Sequence, residues 1–278
     1  MLSSSILLSA LFAGLVAIGV TMAIEKWGGL IGGLLGTLPS TIVPAAIGMH
    51  VVGGEEALQS SMSIVPLGML LNALFLGVWM VLPPYLAGRQ SALLFTTIAA
   101  LGVWALLGAA MLWIVGSWLQ PSLSIFAIGW LGFALVFVVA IAFNRRPQSA
   151  PKGAQKVSFQ VLAGRGIAAA LAIGAAVWLS GQGHPLLAGL ASVFPAIFLT
   201  SMVALWLAQG PTVPRGAAGP MMLGGVSVAV YANIAMWSLP TYGMLWGTVL
   251  AWCLAVGGWS LPTFLIVRRL HQKANLND

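Results

Sequence analysis

The feature that most constrains this chain is its succession of apolar runs, each about as long as a lipid bilayer is thick. A helix needs roughly 20 apolar residues to cross a hydrocarbon core of about 30 Å. Hydrophobic residues make up 60% of the 278 positions and charged residues only 5%, whereas about a quarter of an ordinary soluble domain is charged. A soluble fold is therefore excluded, and the sequence predicts an all-α integral membrane protein.

Nine transmembrane helices are predicted from the bounds of these runs. The long ninth run contains Pro262, so a break there leaves ten spans as the alternative. The first run is long and no Lys or Arg precedes it, which favours a first spanning helix over a cleaved signal peptide. The predicted spans cover 5–24, 28–51, 61–83, 91–117, 123–143, 160–181, 185–208, 216–238 and 241–267.

The basic residues predict how these spans are oriented. If the N-terminus is outside, the inner segments hold every Lys and Arg except Arg165, and the outer segments hold none. Arg165 lies in the first turns of the sixth span, close enough to the inner face for its side chain to reach the surface. Because positive residues stay on the inner side, we expect the N-terminus out, the C-terminus in, and a bacterial inner (plasma) membrane. The inner segments are 25–27, 84–90, 144–159, 209–215 and the tail from 268.

The same residues account for the net charge of +7. In loops between apolar spans they act as topology signals. The sequence has no RRM, zinc-finger or helix-turn-helix pattern, so no nucleic-acid partner is expected.

An ordered series of matched positions predicts two related halves. Gly33 and Pro39 match Gly189 and Pro195 at a spacing of 156 positions. Five spans separate the starts of the halves, so the second half enters the membrane from the other side, as in the inverted-topology repeats of many transporters. The further matches are Ala17-Ile18-Gly19 with Ala172-Ile173-Gly174, Gly53 with Gly210, Pro66 with Pro220, and Leu82-Pro83-Pro84-Tyr85 with Leu239-Pro240-Thr241-Tyr242.

This duplication predicts three regions in the chain. Residues 1–143 form the first membrane repeat of five helices, and 144–159 form a basic cytoplasmic linker. Residues 160–278 form the second repeat of four helices with a basic cytoplasmic tail. The second half lacks a counterpart of either the fourth or the fifth span, and the sequence leaves open which one.

Two prolines predict paired breaks near the middle of the second and seventh spans. A proline inside a helix removes a backbone donor and clashes with the preceding turn, and such paired interruptions point to a transporter's midplane site. Hydroxyls flank both prolines, and further polar residues lie at similar depth in the third and eighth spans. The predicted substrate-binding residues are Thr37, Pro39, Ser40, Thr41, Asn72, Ser192, Pro195, Thr200, Ser201, Ser227, Tyr231 and Asn233.

Structural alternatives stay open for each of these residues. Ser and Thr often bond back to their own helix, and Asn72 is either a site residue or a clamp between helices. The glycines between Gly28 and Gly36 recur at the small-residue spacing of closely packed membrane helices rather than as a phosphate loop.

A second interpretation uses ionisable groups near the two membrane faces. Histidine and carboxylate ligands suit zinc, manganese or iron, so a divalent-metal or other cation carrier is the alternative function. Three His and four acids at scattered positions form no catalytic triad, so no enzyme activity and no cofactor are expected. Cys253, inside an apolar run, is expected to be a buried structural thiol. The alternative ligands are Glu25, His50, Glu55, Glu56 and His184.

The sequence therefore predicts a small secondary transporter or facilitator that moves a small solute by alternating access. In size and in its five-helix half the chain resembles small inverted-repeat carriers such as the drug/metabolite transporter superfamily, and the resemblance is one of architecture alone. Neutral polar solutes or small anions fit the hydroxyls and helix ends best. The expected partners are a small-molecule or ion substrate and the lipid bilayer, with a homodimer left open. A further alternative is a non-transporting membrane subunit or lipid-handling protein.

Overall fold

The computed structural model describes residues 2–27, 38–145 and 159–266. Within those ranges the chain is all-helical and contains no strand, as predicted. A short 3-10 turn, Pro83–Leu86, follows the second helix. The helices are α1 (Leu2–Trp27), α2 (Ile42–Val81), α3 (Ala92–Ser122), α4 (Ile125–Asn144), α5 (Phe159–Gly181), α6 (Pro185–Ser192), α7 (Ala196–Gln209) and α8 (Thr212–Ile266).

Among the described residues, seven helices are long and apolar enough to cross a membrane, with α6 and α7 counted together as one. Their outward faces carry large apolar side chains, including Leu8, Phe95 and Leu171, which are half or more exposed. A water-soluble surface does not present continuous apolar faces of this kind. The chain is an integral membrane protein.

Two helices, α5 and the broken helix α6–α7, form an antiparallel pair. A turn at 182–184 joins them, and the Arg165 guanidinium on α5 donates a hydrogen bond of 2.8 Å to the Ser201 hydroxyl on α7. These two residues are 36 positions apart, a distance of about 54 Å along a straight helix. The chain therefore reverses direction at the turn.

The helix α2 also reverses, at Gly54. This glycine has φ 82° and ψ −175°, a backbone conformation that side chains other than glycine strongly disfavour. Before it, Gly48 packs against Val177 of α5, and after it, Gly68 packs against Val193 at the end of α6. A second contact fixes each direction: Gly53 packs against Ser180, and Ser61 packs against Gly189, so the first part runs parallel to α5 and the second parallel to α6. Since α5 and α6 run in opposite directions, so do the two parts of α2, which we label α2a (42–53) and α2b (55–81).

The helix α8 folds back on itself at Gly243, where φ is 76° and ψ is 168°. The Trp259 indole N–H donates to the Leu223 carbonyl at 2.8 Å, and the Ser238 hydroxyl donates to the Gly247 carbonyl at 2.9 Å. Both bonds join residues that a straight helix would hold far apart. We label the two antiparallel parts α8a (212–242) and α8b (244–266).

Two pairs of helices pack in antiparallel register. In the first, Gly14 of α1 packs against Gly166 and Ala170 of α5, while Ala10 packs against Gly174. Along this contact the residue number rises on α1 as it falls on α5, so the two helices are antiparallel. Their small residues allow the helices to approach closely.

The second pair is α2b and α8a, and most residues of α2b and many of α8a are buried. In the most apolar window of α2, 78% of the residues are buried, against 22% for α1 and for α3. Gly225 of α8a packs against Met69 of α2b, and hydrogen bonds described below join the two ends of the pair in antiparallel register. Four polar residues of the predicted site lie on this pair: Asn72 on α2b, and Ser227, Tyr231 and Asn233 on α8a.

Two π-helical segments have a shared local cause. They are Val115–Leu119 in α3 and Val256–Ser260 in α8b, and each lies just before a proline, Pro121 or Pro262. A proline has no N–H to donate, so the preceding turn widens. The first segment lies near the end of its helix and the second near the middle, so the two do not occupy equivalent depths.

The structure modifies several sequence predictions. The predicted second and third spans meet on α2, with 28–37 outside the described residues, and the eighth and ninth meet on α8. The linker residues 146–158 also lie outside the described residues. Cys253 is exposed on α8b, so the expectation of a buried thiol is wrong, because this face of the helix borders lipid instead of another helix. The count of nine spans and the inverted repeat stay predictions.

Candidate functional site

The predicted break at Pro195 is present. The helix α6 ends at Ser192 and α7 begins at Ala196, so the three residues between them are not helical. The Val193 carbonyl lies in this gap, and backbone groups freed in a bilayer need another partner. That partner comes from α2b.

Asn72 supplies it. Its side-chain amide donates to the Val193 carbonyl at 2.9 Å, and its carbonyl oxygen accepts from the Trp104 indole N–H at 2.9 Å. Trp104 of α3 also packs edge-to-face against Phe194, with ring centroids 5.3 Å apart. Asn72 is buried, and both its amide N–H and its amide oxygen are hydrogen-bonded. It therefore acts as a clamp that joins α2b to the broken helix and to α3.

The hydroxyls next to the second break bond within their own helices. Ser192 donates to the Gly189 carbonyl at 2.7 Å, Thr200 to the Ala196 carbonyl at 2.8 Å, and Ser201 to the Ile197 carbonyl at 2.7 Å. This is the local pattern that the sequence left open as the structural alternative. A solute reaching these residues has to compete with their intrahelical bonds.

The predicted break at Pro39 lies at the edge of the described residues, where α2 begins at Ile42. Residues 38–41 are not helical, Pro39 is buried, and Ser40 and Thr41 are half-buried. The Ser40 N–H donates to the Leu38 carbonyl at 2.9 Å. The predicted site residue Thr37 lies outside the described residues.

The polar residues of α8a lie at different depths and contact different neighbours. Ser227 is fully buried near the middle of α8a. The Asn233 amide donates to the Gly129 carbonyl of α4 at 3.3 Å. The buried Tyr231 hydroxyl interacts with Thr248 of α8b, and in the described part of the chain neither hydroxyl forms a well-aligned hydrogen bond.

Arg165 is a functional candidate that the sequence analysis did not include among the site residues. It was expected to extend towards the inner surface. Instead, its guanidinium turns into the bundle and donates to the Ser201 hydroxyl at 2.8 Å and to the Thr21 hydroxyl at 3.4 Å. It thereby joins α1, α5 and α7 and brings a positive charge next to a predicted site residue.

Two further contacts, also unpredicted, join the ends of α2b and α8a. At one end, Nε of Arg215 donates to the Met80 carbonyl at 3.0 Å, and we call this contact the arginine clasp. At the other end, Nε2 of Gln59 donates to the Met236 carbonyl at 3.2 Å, and we call this contact the glutamine clasp. Each clasp is a side-chain donor on one helix that reaches a backbone acceptor on the other.

Prolines explain why these two carbonyls accept side-chain donors. In an α-helix the carbonyl of residue i accepts from the N–H of residue i+4. Four residues after Met80 comes Pro84, and four residues after Met236 comes Pro240, neither of which has an N–H. Each carbonyl is therefore left without its helical partner, and the facing helix provides the missing donor.

The clasps also share one spacing along the chain. Gln59 and Arg215 are 156 positions apart, as are Met80 and Met236, and Pro84 and Pro240. This spacing equals that of the two break prolines. The acceptors can be found from sequence, because Met80 and Met236 are matched residues that each precede a proline by four positions. The donors cannot, because identifying them requires the register of the two packed helices.

The alternative cation ligands are not brought together. Within the described residues, no three His, Cys, Asp or Glu side chains are close enough to hold a metal ion. Glu55, Glu56 and His184 are exposed, and Glu55 accepts a long bond of 3.5 Å from Gln59. His50 is half-buried with its Nδ1 unpaired in the described part of the chain. The Glu25 side chain lies outside the described part.

Comparison of the chain with protein-family models, with curated proteins and with solved structures finds no match.

Proposed function

We propose that the chain is a small secondary transporter or facilitator that moves a small solute by alternating access between two inverted halves. The observation that carries this proposal is the pair of clasps at opposite ends of α2b and α8a. Their donors, acceptors and prolines all repeat at a spacing of 156 positions. Two equivalent closures at opposite ends are what an alternating-access carrier requires.

Duplication is supported by backbone geometry as well as by sequence. Gly54 has φ 82° and ψ −175°, and Gly210 has φ 80° and ψ 178°. These two glycines are also 156 positions apart. The helix pairs α1 with α5 and α2b with α8a are antiparallel, as expected for equivalent helices of opposite orientation.

Nine crossings follow if α2 and α8 each cross the membrane twice. As straight rods they would be about 60 Å and 80 Å long, far longer than the hydrocarbon core of about 30 Å. Both reverse direction at a glycine, so each supplies two antiparallel segments. The proposed arrangement is five spans in the first half and four in the second, with the N-terminus outside.

The proposed solute path lies between the halves, along α2b, α8a and the two proline breaks. We propose neutral polar solutes or small anions as the cargo. Arg165 favours an anionic solute, because its guanidinium contacts Ser201 beside the second break. A cation within the membrane is costly unless it has a function or a partner.

Transport in proteoliposomes, measured with a panel of neutral metabolites, small anions and divalent metals, tests the proposal. Replacing both Ser40 and Ser192 with Ala should lower transport of the accepted solute without lowering expression. The matched control is Ser122→Ala, an exposed hydroxyl at the end of α3, which should leave transport unchanged. Absence of transport across the panel, or unaltered transport by the double variant, would count against the midplane site.

A further inference from the structure

A cleft of about 350 Å³ opens beside the arginine clasp, at the end of the bundle where α2b ends and α8a begins. One wall is the turn 83–91 with the start of α3, and the other is the junction of α7 and α8a. Leu93 and Trp206 contribute apolar surface to these walls. The cleft is separate from the two proline breaks.

The lining of the cleft is positively charged. Arg89 and Arg215 both face it, and its described lining contains no Asp or Glu. The helices α3 and α8 begin at the cleft, and neither has an acidic residue in its first turn. Helix N-termini carry partial positive charge, so the helix ends add to the charge of the arginines.

The hydrogen bond of Arg215 to the Met80 carbonyl bears on which anions the cleft can bind. Nε of Arg215 donates to this carbonyl, which restrains the guanidinium at the cleft wall and leaves its two terminal NH2 groups for a ligand. A guanidinium of restrained orientation is suited to bidentate recognition of a phosphate or carboxylate. Arg89 is exposed on the opposite wall, so an anion between the two arginines would be bound from both sides.

We propose that this cleft is a binding site for a phosphate-type oxyanion, either free in solution or as the headgroup of an anionic lipid. The site does not depend on the proposed carrier function, and it would persist in a protein that transports nothing. Because Arg215 belongs to both the cleft and the arginine clasp, an oxyanion in the cleft acts on the same side chain that closes this end of α2b and α8a.

Binding of inorganic phosphate to the full chain in neutral detergent, measured by isothermal titration calorimetry, tests the site. Arg89→Gln removes one cation and should weaken phosphate binding about tenfold or more, the effect of losing one charge-assisted contact. The matched control is Arg145→Gln, an exposed arginine at the end of α4 that does not line the cleft, and it should leave the affinity unchanged. Ala87→Trp changes an exposed lining residue and should abolish binding by filling the cleft while keeping both charges.

A second arm distinguishes the two sources of the oxyanion. Native mass spectrometry of protein from phosphatidylcholine nanodiscs with and without phosphatidylglycerol reports which lipids stay bound. Phosphate binding that Arg89→Gln weakens supports a free oxyanion. Phosphatidylglycerol retained by the unmodified chain and lost from Arg89→Gln and Ala87→Trp supports a headgroup.

Binding of neither probe, or equal binding by Arg89→Gln and Arg145→Gln, would overturn the proposal. Phosphate binding without transport of any solute would leave the cleft in place and remove the carrier function instead. The failure of one proposal is thus distinguishable from the failure of the other.

Discussion

The two ends of the α2b and α8a pair are built on one plan but closed by different chemistry. At both ends a proline frees a methionine carbonyl, and a side chain of the facing helix donates to it. One donor is the charged guanidinium of Arg215 and the other is the neutral amide of Gln59. A hydrogen bond to a charged group contributes roughly 1.5–3 kcal/mol, against about 0.5–1.5 kcal/mol for a neutral one.

This difference indicates that the two closures are unequal in strength. We therefore expect the glutamine end to open more readily than the arginine end. In a carrier, such an imbalance biases the resting population towards one of the two access states.

The largest effect is expected from Arg215→Leu, which leaves the Met80 carbonyl without a donor. The loss should be about 2 kcal/mol, or roughly a thirtyfold shift towards opening of the arginine end. Ser227→Cys in a Cys253→Ala background provides the measurement, because the labelling rate of this mid-depth thiol by an impermeant maleimide can be followed from each side. Labelling from the arginine end should rise, while Arg145→Leu should leave it unchanged. Equal rates for the two variants would mean that Arg215 does not close this end.

A smaller effect in the opposite direction is expected from Gln59→Leu. A neutral hydrogen bond of about 1 kcal/mol corresponds to a roughly fivefold increase in labelling from the glutamine end. The control is Gln182→Leu, an exposed glutamine in the turn between α5 and α6. Faster labelling from the arginine end instead would contradict the assignment of this clasp.

The smallest change is expected from Pro240→Ala, which restores an N–H four residues after Met236 and gives its carbonyl an intrahelical partner. Gln59→Leu should then have almost no further effect, so a double-mutant cycle on the free energy of unfolding should give a coupling of about 1 kcal/mol. Pro220→Ala, another proline inside α8, should give no coupling with Gln59→Leu. Additive effects of Pro240→Ala and Gln59→Leu would mean that the proline is not the reason for the clasp.

Local chemistry made much of the fold predictable from sequence. Pro195 marks a break that a local rule predicts, since a proline removes a helical hydrogen bond, although Pro66 and Pro220 lie inside helices that continue past them. The apolar runs predicted the all-helical fold because their length and hydropathy are also local properties of the sequence. The matched series was less accurate in detail, since it paired Gly210 with Gly53 whereas the backbone reversal is at Gly54.

The contacts of the candidate site were less predictable because they join residues distant in sequence. Asn72 is a clamp because Trp104 and the Val193 carbonyl lie on either side of its amide, and neither is near it in the chain. The inward turn of Arg165 depends on Thr21 and Ser201 in the same way. Cys253 was misjudged because an apolar run in a membrane protein has lipid-facing and protein-facing sides that hydropathy does not separate.

In the proposed carrier the two ends of α2b and α8a open in alternation. Paired spin labels on exposed positions test it most directly, with one pair at Glu56 and Trp237 near the glutamine clasp and one at Tyr85 and Thr212 near the arginine clasp, in a Cys253→Ala background. If the ends alternate, conditions or variants that lengthen one distance shorten or preserve the other, and the glutamine end has the larger open population. Two distances that stay fixed in every condition, or that lengthen together, would contradict it.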